Sequence, residues 1–162
     1  MNKPADLNPI LQRAALEKWL TECKRRMGLR FPKIDFLADN WPIRRLHQTE
    51  QRDWYFTAVM ADFSEMDICY IDALRCLVAE MVIAGKPKQL PEKIAGYRQL
   101  AKDAPYRLFD LTLGDLRRLE ERLLAHCRAT PQSACTTHGQ LATLAKFLTQ
   151  LSRNGVLPVL GW

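Results

Sequence analysis

Gly139, Thr143, Lys146, Gln150 and Arg153 recur at helical spacing in the closing segment Thr136–Trp162, TTHGQLATLAKFLTQLSRNGVLPVLGW. This face carries a hydroxyl, an amide and two cations, with no acid among them. Such a face can donate hydrogen bonds to phosphate oxygens and to base edges. Leu141, Leu144, Leu148 and Leu151 make a second, apolar stripe on the same segment, suited to holding it against a core. Thr137, His138, Gln140, Thr143 and Lys146 are the candidates for base-edge contact. Lys86, Lys88, Arg117, Arg118, Arg122 and Arg153 are the candidates for phosphate contact. Lys86 and Lys88 belong to a short cationic turn, GKPKQ, and the three α-helical arginines to LTLGDLRRLEER.

Other chemistries find less. His126, Cys127, Cys135 and His138 read HC-x7-C-x2-H, which is not a structural zinc spacing. No metal and no cofactor are expected. The three histidines, His47, His126 and His138, fall in no motif that would activate a nucleophile. Cys69 and Cys76 lie two helical turns apart in an apolar stretch, the setting of buried structural thiols. Five cysteines with no CxxC pair argue for reduced thiols rather than a disulfide framework. No catalytic residue is assigned.

The chain of 162 residues is 48% hydrophobic and 26% charged, enough apolar material for one core under an ordinary charged surface. Its net charge of +6 is unevenly spread. Residues 1–48 carry ten Lys/Arg against five Asp/Glu, residues 49–80 two against seven, and residues 81–162 twelve against six. Two basic ends flanking an acidic middle suit a polyanion partner. No run of about 18 apolar residues exists to span a membrane. MNKPADLNPI lacks the apolar core of a secretory signal, so a cytoplasmic protein with no membrane partner is expected.

The elements that must position these residues are helical. Asn8-Pro9 opens a helix to about Met27, with Leu11, Ala15, Leu16, Trp19 and Leu20 as its apolar stripe and Gly28 as its stop. Lys24-Arg25-Arg26 in its last turn suits the helix dipole. Residues 28–50 read as a connector, with a short helix near Pro42–Gln48, and Phe36 and Trp41 packed on the main body. Residues 53–61 read equally as a short strand or a helix start. Ser64-Glu65-Met66-Asp67 is a capping box before an all-round apolar, central helix ending at Gly85. Leu90-Pro91 starts another helix, to about Lys102. Thr112-Leu113-Gly114-Asp115 caps a third, with Leu116, Leu119, Leu123 and Leu124 inward. Pro131 and Ser133 break the chain before the last helix, which stops at Asn154-Gly155. The fold class expected is mainly α, a bundle of five or six helices with little or no sheet. Residues 1–49 are an N-terminal helix and connector, and residues 50–162 the main helical domain, ending in an apolar segment that looks like a linker.

This layout, an apolar helix, GKPKQLPEKI, a helix, LTLGDLRRLE and the closing segment, resembles the SAM-like core-binding region ahead of the catalytic domain in tyrosine recombinases, the phage-integrase-like site-specific recombinases. The likeness covers roughly residues 50–162, and residues 1–49 match nothing in it. It implies a DNA-binding module for DNA recombination and integration, which clamps one side of duplex DNA while strand exchange is catalysed elsewhere. The partners implied are double-stranded DNA, self-association on that DNA, and a catalytic domain in the same parent chain. The family's His-x-x-Arg element is missing, and Tyr55, Tyr70, Tyr97 and Tyr106 lie within the helical region. No catalytic role carries over, so this chain is not expected to be an enzyme by itself. The competing expectation is a helical protein-interaction or regulatory module that docks a partner through the acidic segment 49–80.

Overall fold

The computed structural model describes residues 8–43, 53–56, 67–86, 89–103, 107–129 and 134–162. Five α-helices dominate them: α1 (Pro9–Arg30), α2 (Ile68–Ile83), α3 (Leu90–Asp103), α4 (Leu113–Ala129) and α5 (Ala134–Arg153). The one described sheet is a pair of two-residue antiparallel strands, β1 (Asn40–Trp41) and β2 (Trp54–Tyr55), in which Asn40 faces Tyr55 and Trp41 faces Trp54. The fold is mainly α. The short helix expected near Pro42–Gln48 and the Ser64-Glu65 part of the capping box fall largely or wholly outside the described residues.

α1 starts as its sequence dictates, with the Asn8 side chain accepting the Ile10 N–H at 2.9 Å and Pro9 in the first turn. It does not stop at Gly28. That glycine stays helical, and the chain leaves the helix only at Phe31, whose φ of −133° and ψ of 68° are non-helical. Pro32 supplies the reason, because its ring disfavours a helical residue before it. The buried face is also rotated from the expected stripe. Gln12, Leu16, Trp19, Cys23 and Met27 point inward, while Leu11 is 61% exposed. Gln12 can be inside because its Nε2 donates to the Val156 carbonyl at 2.9 Å, so the buried amide is satisfied.

α2 is the central helix, packed against α1, with Cys69, Tyr70, Ala73, Leu74, Cys76, Leu77, Val78, Ala79 and Val82 all buried. Asp67, and not Ser64, is its N-cap, with its side chain accepting the Cys69 N–H at 3.2 Å. The Tyr97 hydroxyl of α3 donates to the Tyr70 carbonyl at 2.6 Å and ties the third helix to the second. α4 begins with the expected capping box: Thr112 N–H and Oγ1 both donate to Asp115 Oδ2, and the Asp115 N–H donates back to Thr112 Oγ1 at 3.3 Å. Leu116 and Leu119 of α4 are buried, whereas Leu123 and Leu124 are only half-buried. α5 packs against α3, α4 and α2. One buried cluster runs through all of this, from Leu16 and Trp19 of α1 to Leu144, Leu151 and Leu157, with Phe36 and Trp41 in it, so residues 8–43 share a core with the rest.

α2 and α5 end alike. Gly85 (φ 71°) and Gly155 (φ 76°) take left-handed conformations. After α2, Lys86 N–H donates to Met81 O at 2.8 Å and Gly85 N–H to Val82 O at 3.0 Å. After α5, Val156 N–H donates to Leu151 O at 2.9 Å and Gly155 N–H to Ser152 O at 3.0 Å. Both are Schellman motifs. Val156 and Leu157 then enter the core, and the following segment lies back along α4 and α5, with Trp162 Nε1 donating to Glu120 Oε2 at 3.1 Å.

Candidate nucleic-acid interface

The end of α2, the start of α3 and the outer face of α5 enclose an open groove of about 670 Å³. Lys86, Lys93, Lys146 and Arg153 stand in its lining with Thr143 and Gln150, over a floor that includes Met81, Ala84 and Phe147. The placement follows from the elements. Thr143, Lys146, Gln150 and Arg153 are spaced three or four apart, so they share the α5 face opposite Leu144, Leu148 and Leu151. The Gly85 turn reverses the chain and sets Lys86 beside α3, where Lys93 Nζ donates to the Lys86 carbonyl at 2.9 Å. Lys86, Lys146 and Arg153 are exposed and make no ion pair with any described residue.

Not every residue singled out in the sequence comes here. Thr137 is buried, at 4% exposure, and cannot reach a base edge. Its place seven residues before Leu144 and eleven before Leu148 puts it on the leucine side of α5. His138 is exposed and Gln140 half-buried, but neither lines the groove. Lys88 lies outside the described residues. Arg117, Arg118 and Arg122 of α4 are exposed away from the groove. Arg118 is paired with Asp115, and Arg122 with Asp103 at 2.5 Å and Gln99 at 3.2 Å. Arg117 borders a separate cleft with Leu113, Glu120 and Trp162. Arg13, Lys18, Lys24 and Arg25 form further positive charge on the outer side of α1.

Lys93, not assigned as a site residue from the sequence, lines the groove together with Gln150, which the sequence reading had placed on the polar face of the last helix. Gln150 carried a legible signal, being on the Lys146–Arg153 face. Lys93 carried none, because its position depends on the angle at which α3 leaves the Gly85 turn.

One acid lines the groove, Glu80. Its carboxylate is held from behind by α1: Arg26 Nη1 reaches Oε1 at 2.9 Å and Oε2 at 3.1 Å, Trp19 Nε1 donates to Oε1 at 3.3 Å, and the Cys23 thiol lies 3.7 Å from the same oxygen. Two other acids of the middle segment are engaged as well: Asp67 caps α2 and Asp72 pairs with Arg75 at 3.2 Å.

The Cys69 and Cys76 thiols are poor nucleophiles where they stand. Burial, reinforced by the charge of Asp67, pushes Cys69 up to about 12, and burial raises Cys76 well above its usual value. Among the described residues, no cluster of three or more His, Cys, Asp or Glu is arranged to hold a metal, and no helix is long and apolar enough to cross a membrane. No family model, no curated protein and no solved structure matches this chain.

Proposed function

We propose that the chain is a double-stranded DNA-binding module that holds the duplex backbone in the groove between α2, α3 and α5. The reading rests on one observation: Lys86, Lys93, Lys146 and Arg153, from three separate helical elements, converge on one open groove. Each phosphate neutralised there releases condensed counterions, so affinity comes from charge and falls with salt. Lys146, Thr143 and Gln150 supply the polar groups that can reach base edges once the backbone is held. The Thr143 hydroxyl donates its proton to the Gly139 carbonyl at 2.9 Å, which leaves its oxygen as an acceptor toward the groove. Gln150 offers both donor and acceptor, the combination that pairs with adenine in the major groove. Together with the recombinase-like layout of residues 50–162, this supports reading the chain as the DNA-clamping part of a site-specific recombinase, with strand exchange catalysed by another domain of a parent chain.

Fluorescence anisotropy with a labelled mixed-sequence duplex tests the reading. The wild-type chain binds at low salt, and changing Lys146→Glu and Arg153→Glu together weakens binding at least about tenfold. Equal binding by the two proteins removes α5 from the DNA face.

A further inference from the structure

The groove has a charge defect that α1 corrects. Glu80 projects a carboxylate into a lining that otherwise offers four cations, and its side chain is 24% exposed. A phosphate entering such a groove meets a like charge at short range unless that charge is neutralised. Arg26 does not line the groove. It sits behind Glu80 and engages both carboxylate oxygens through Nη1, while Trp19 and Cys23 of the same helix fix the carboxylate from the side. The geometry is multivalent, and its donors all come from α1, which contributes no residue to the groove lining.

Resting on the DNA reading of the groove, we infer that Arg26 is a positioning residue for DNA binding: it neutralises and restrains Glu80, and so sets the charge of the groove floor without touching DNA. This gives α1 a role beyond packing. The basic trio Lys24-Arg25-Arg26 divides accordingly. Arg25 turns outward to Glu22, with Nη2 2.7 Å from Oε1, and Arg26 turns inward to Glu80.

The experiment is a double-mutant cycle on the full chain, with binding to a labelled mixed-sequence duplex read by anisotropy at low salt and the fold of each variant checked by thermal melting. R26Q leaves Glu80 uncompensated and weakens binding about fivefold, R26K keeps the charge and stays within about twofold of wild type, and E80Q tightens binding about twofold. The same R26Q change made in the E80Q background alters binding by less than about twofold, because the charge it was masking is gone. R25Q has the same net charge as R26Q and alters binding by less than about twofold. The inference is overturned if R26Q costs the same factor with and without Glu80, since Arg26 would then act by its own charge, or if R25Q costs as much as R26Q. Should R26Q fail to fold, E80Q carries the test, because the glutamine keeps the acceptor for Trp19; equal or weaker binding by E80Q than by wild type overturns it. Loss of all duplex binding in the wild-type chain instead removes the DNA reading itself.

Discussion

A Cβ on Gly96 would stand 2.6 Å from the carbonyl oxygen of Gln140. α3 and α5 therefore meet backbone to backbone at this point, and that contact fixes how far the Thr143–Arg153 face stands from Lys86 and Lys93. Backbone cannot swing aside as a flexible side chain does. Gly96→Ala is expected to destabilise the fold by about 1–3 kcal/mol in chemical denaturation. Gly139, the residue before Gln140 in α5, meets nothing within 4 Å of an added Cβ. Gly139→Ala is expected to stabilise by about 0.5–1 kcal/mol through helix propensity alone. Similar stabilities for the two variants would show that the helices are not in backbone contact.

Gln12 and Leu11 reverse the usual expectation for a polar and an apolar neighbour. Removing the buried Gln12 amide by Gln12→Ala leaves the Val156 carbonyl without its partner, and a loss of about 1–3 kcal/mol follows. Leu11→Ala, at a mostly exposed position, stays within about 0.5 kcal/mol of wild type. Urea midpoints for the pair check this; a larger loss for Leu11 would mean that α1 is seated on its other face.

Stability should decline at alkaline pH. Burial raises Cys69, Cys76, Tyr70 and Tyr97 above the ordinary values of 9.0 for a thiol and 10.0 for a phenol. The unfolded chain then releases protons that the folded chain keeps, so their contribution is complete below about pH 9 and is lost as pH rises through the folded values. Urea midpoints are expected to be level from about pH 7 to 8.5 and to fall above that. Phenolate absorbance from Tyr70 and Tyr97 should appear together with loss of helical signal. Complete phenolate formation by about pH 11 in a folded chain would contradict the burial of these rings.

The helices were legible because their signals are local. The Asn8-Pro9 start, the Thr112–Asp115 capping box and the Gly85 and Gly155 stops are each written within a few residues, and the structure uses all four. Gly28 misled because a glycine permits a C-cap without requiring one, and Pro32 four residues later does the stopping. The rotation of α1 was hidden because Gln12 earns its burial from Val156, 144 residues away. The site divides in the same way. Lys146, Gln150 and Arg153 share a face by helical period alone. Their meeting with Lys86 and Lys93, and the hold of Arg26 on Glu80, depend on how helices cross, which no local pattern encodes. Thr137 was misplaced although the signal was present, since its spacing to Leu144 and Leu148 is that of the core stripe.

The most direct test of the central claim is the salt dependence of duplex binding. The logarithm of the binding constant is measured against the logarithm of salt concentration for wild type, for a groove triple K86Q/K146Q/R153Q, and for an α1 triple R13Q/K18Q/K24Q of identical charge. If the groove grips the phosphate backbone, its triple lowers the slope by about 0.9 per lost contact, close to 2.7 in all, while the α1 triple lowers it by less than about 1. Equal slopes for the two triples, or an unchanged slope in the groove triple, would contradict the claim that DNA is held between α2, α3 and α5.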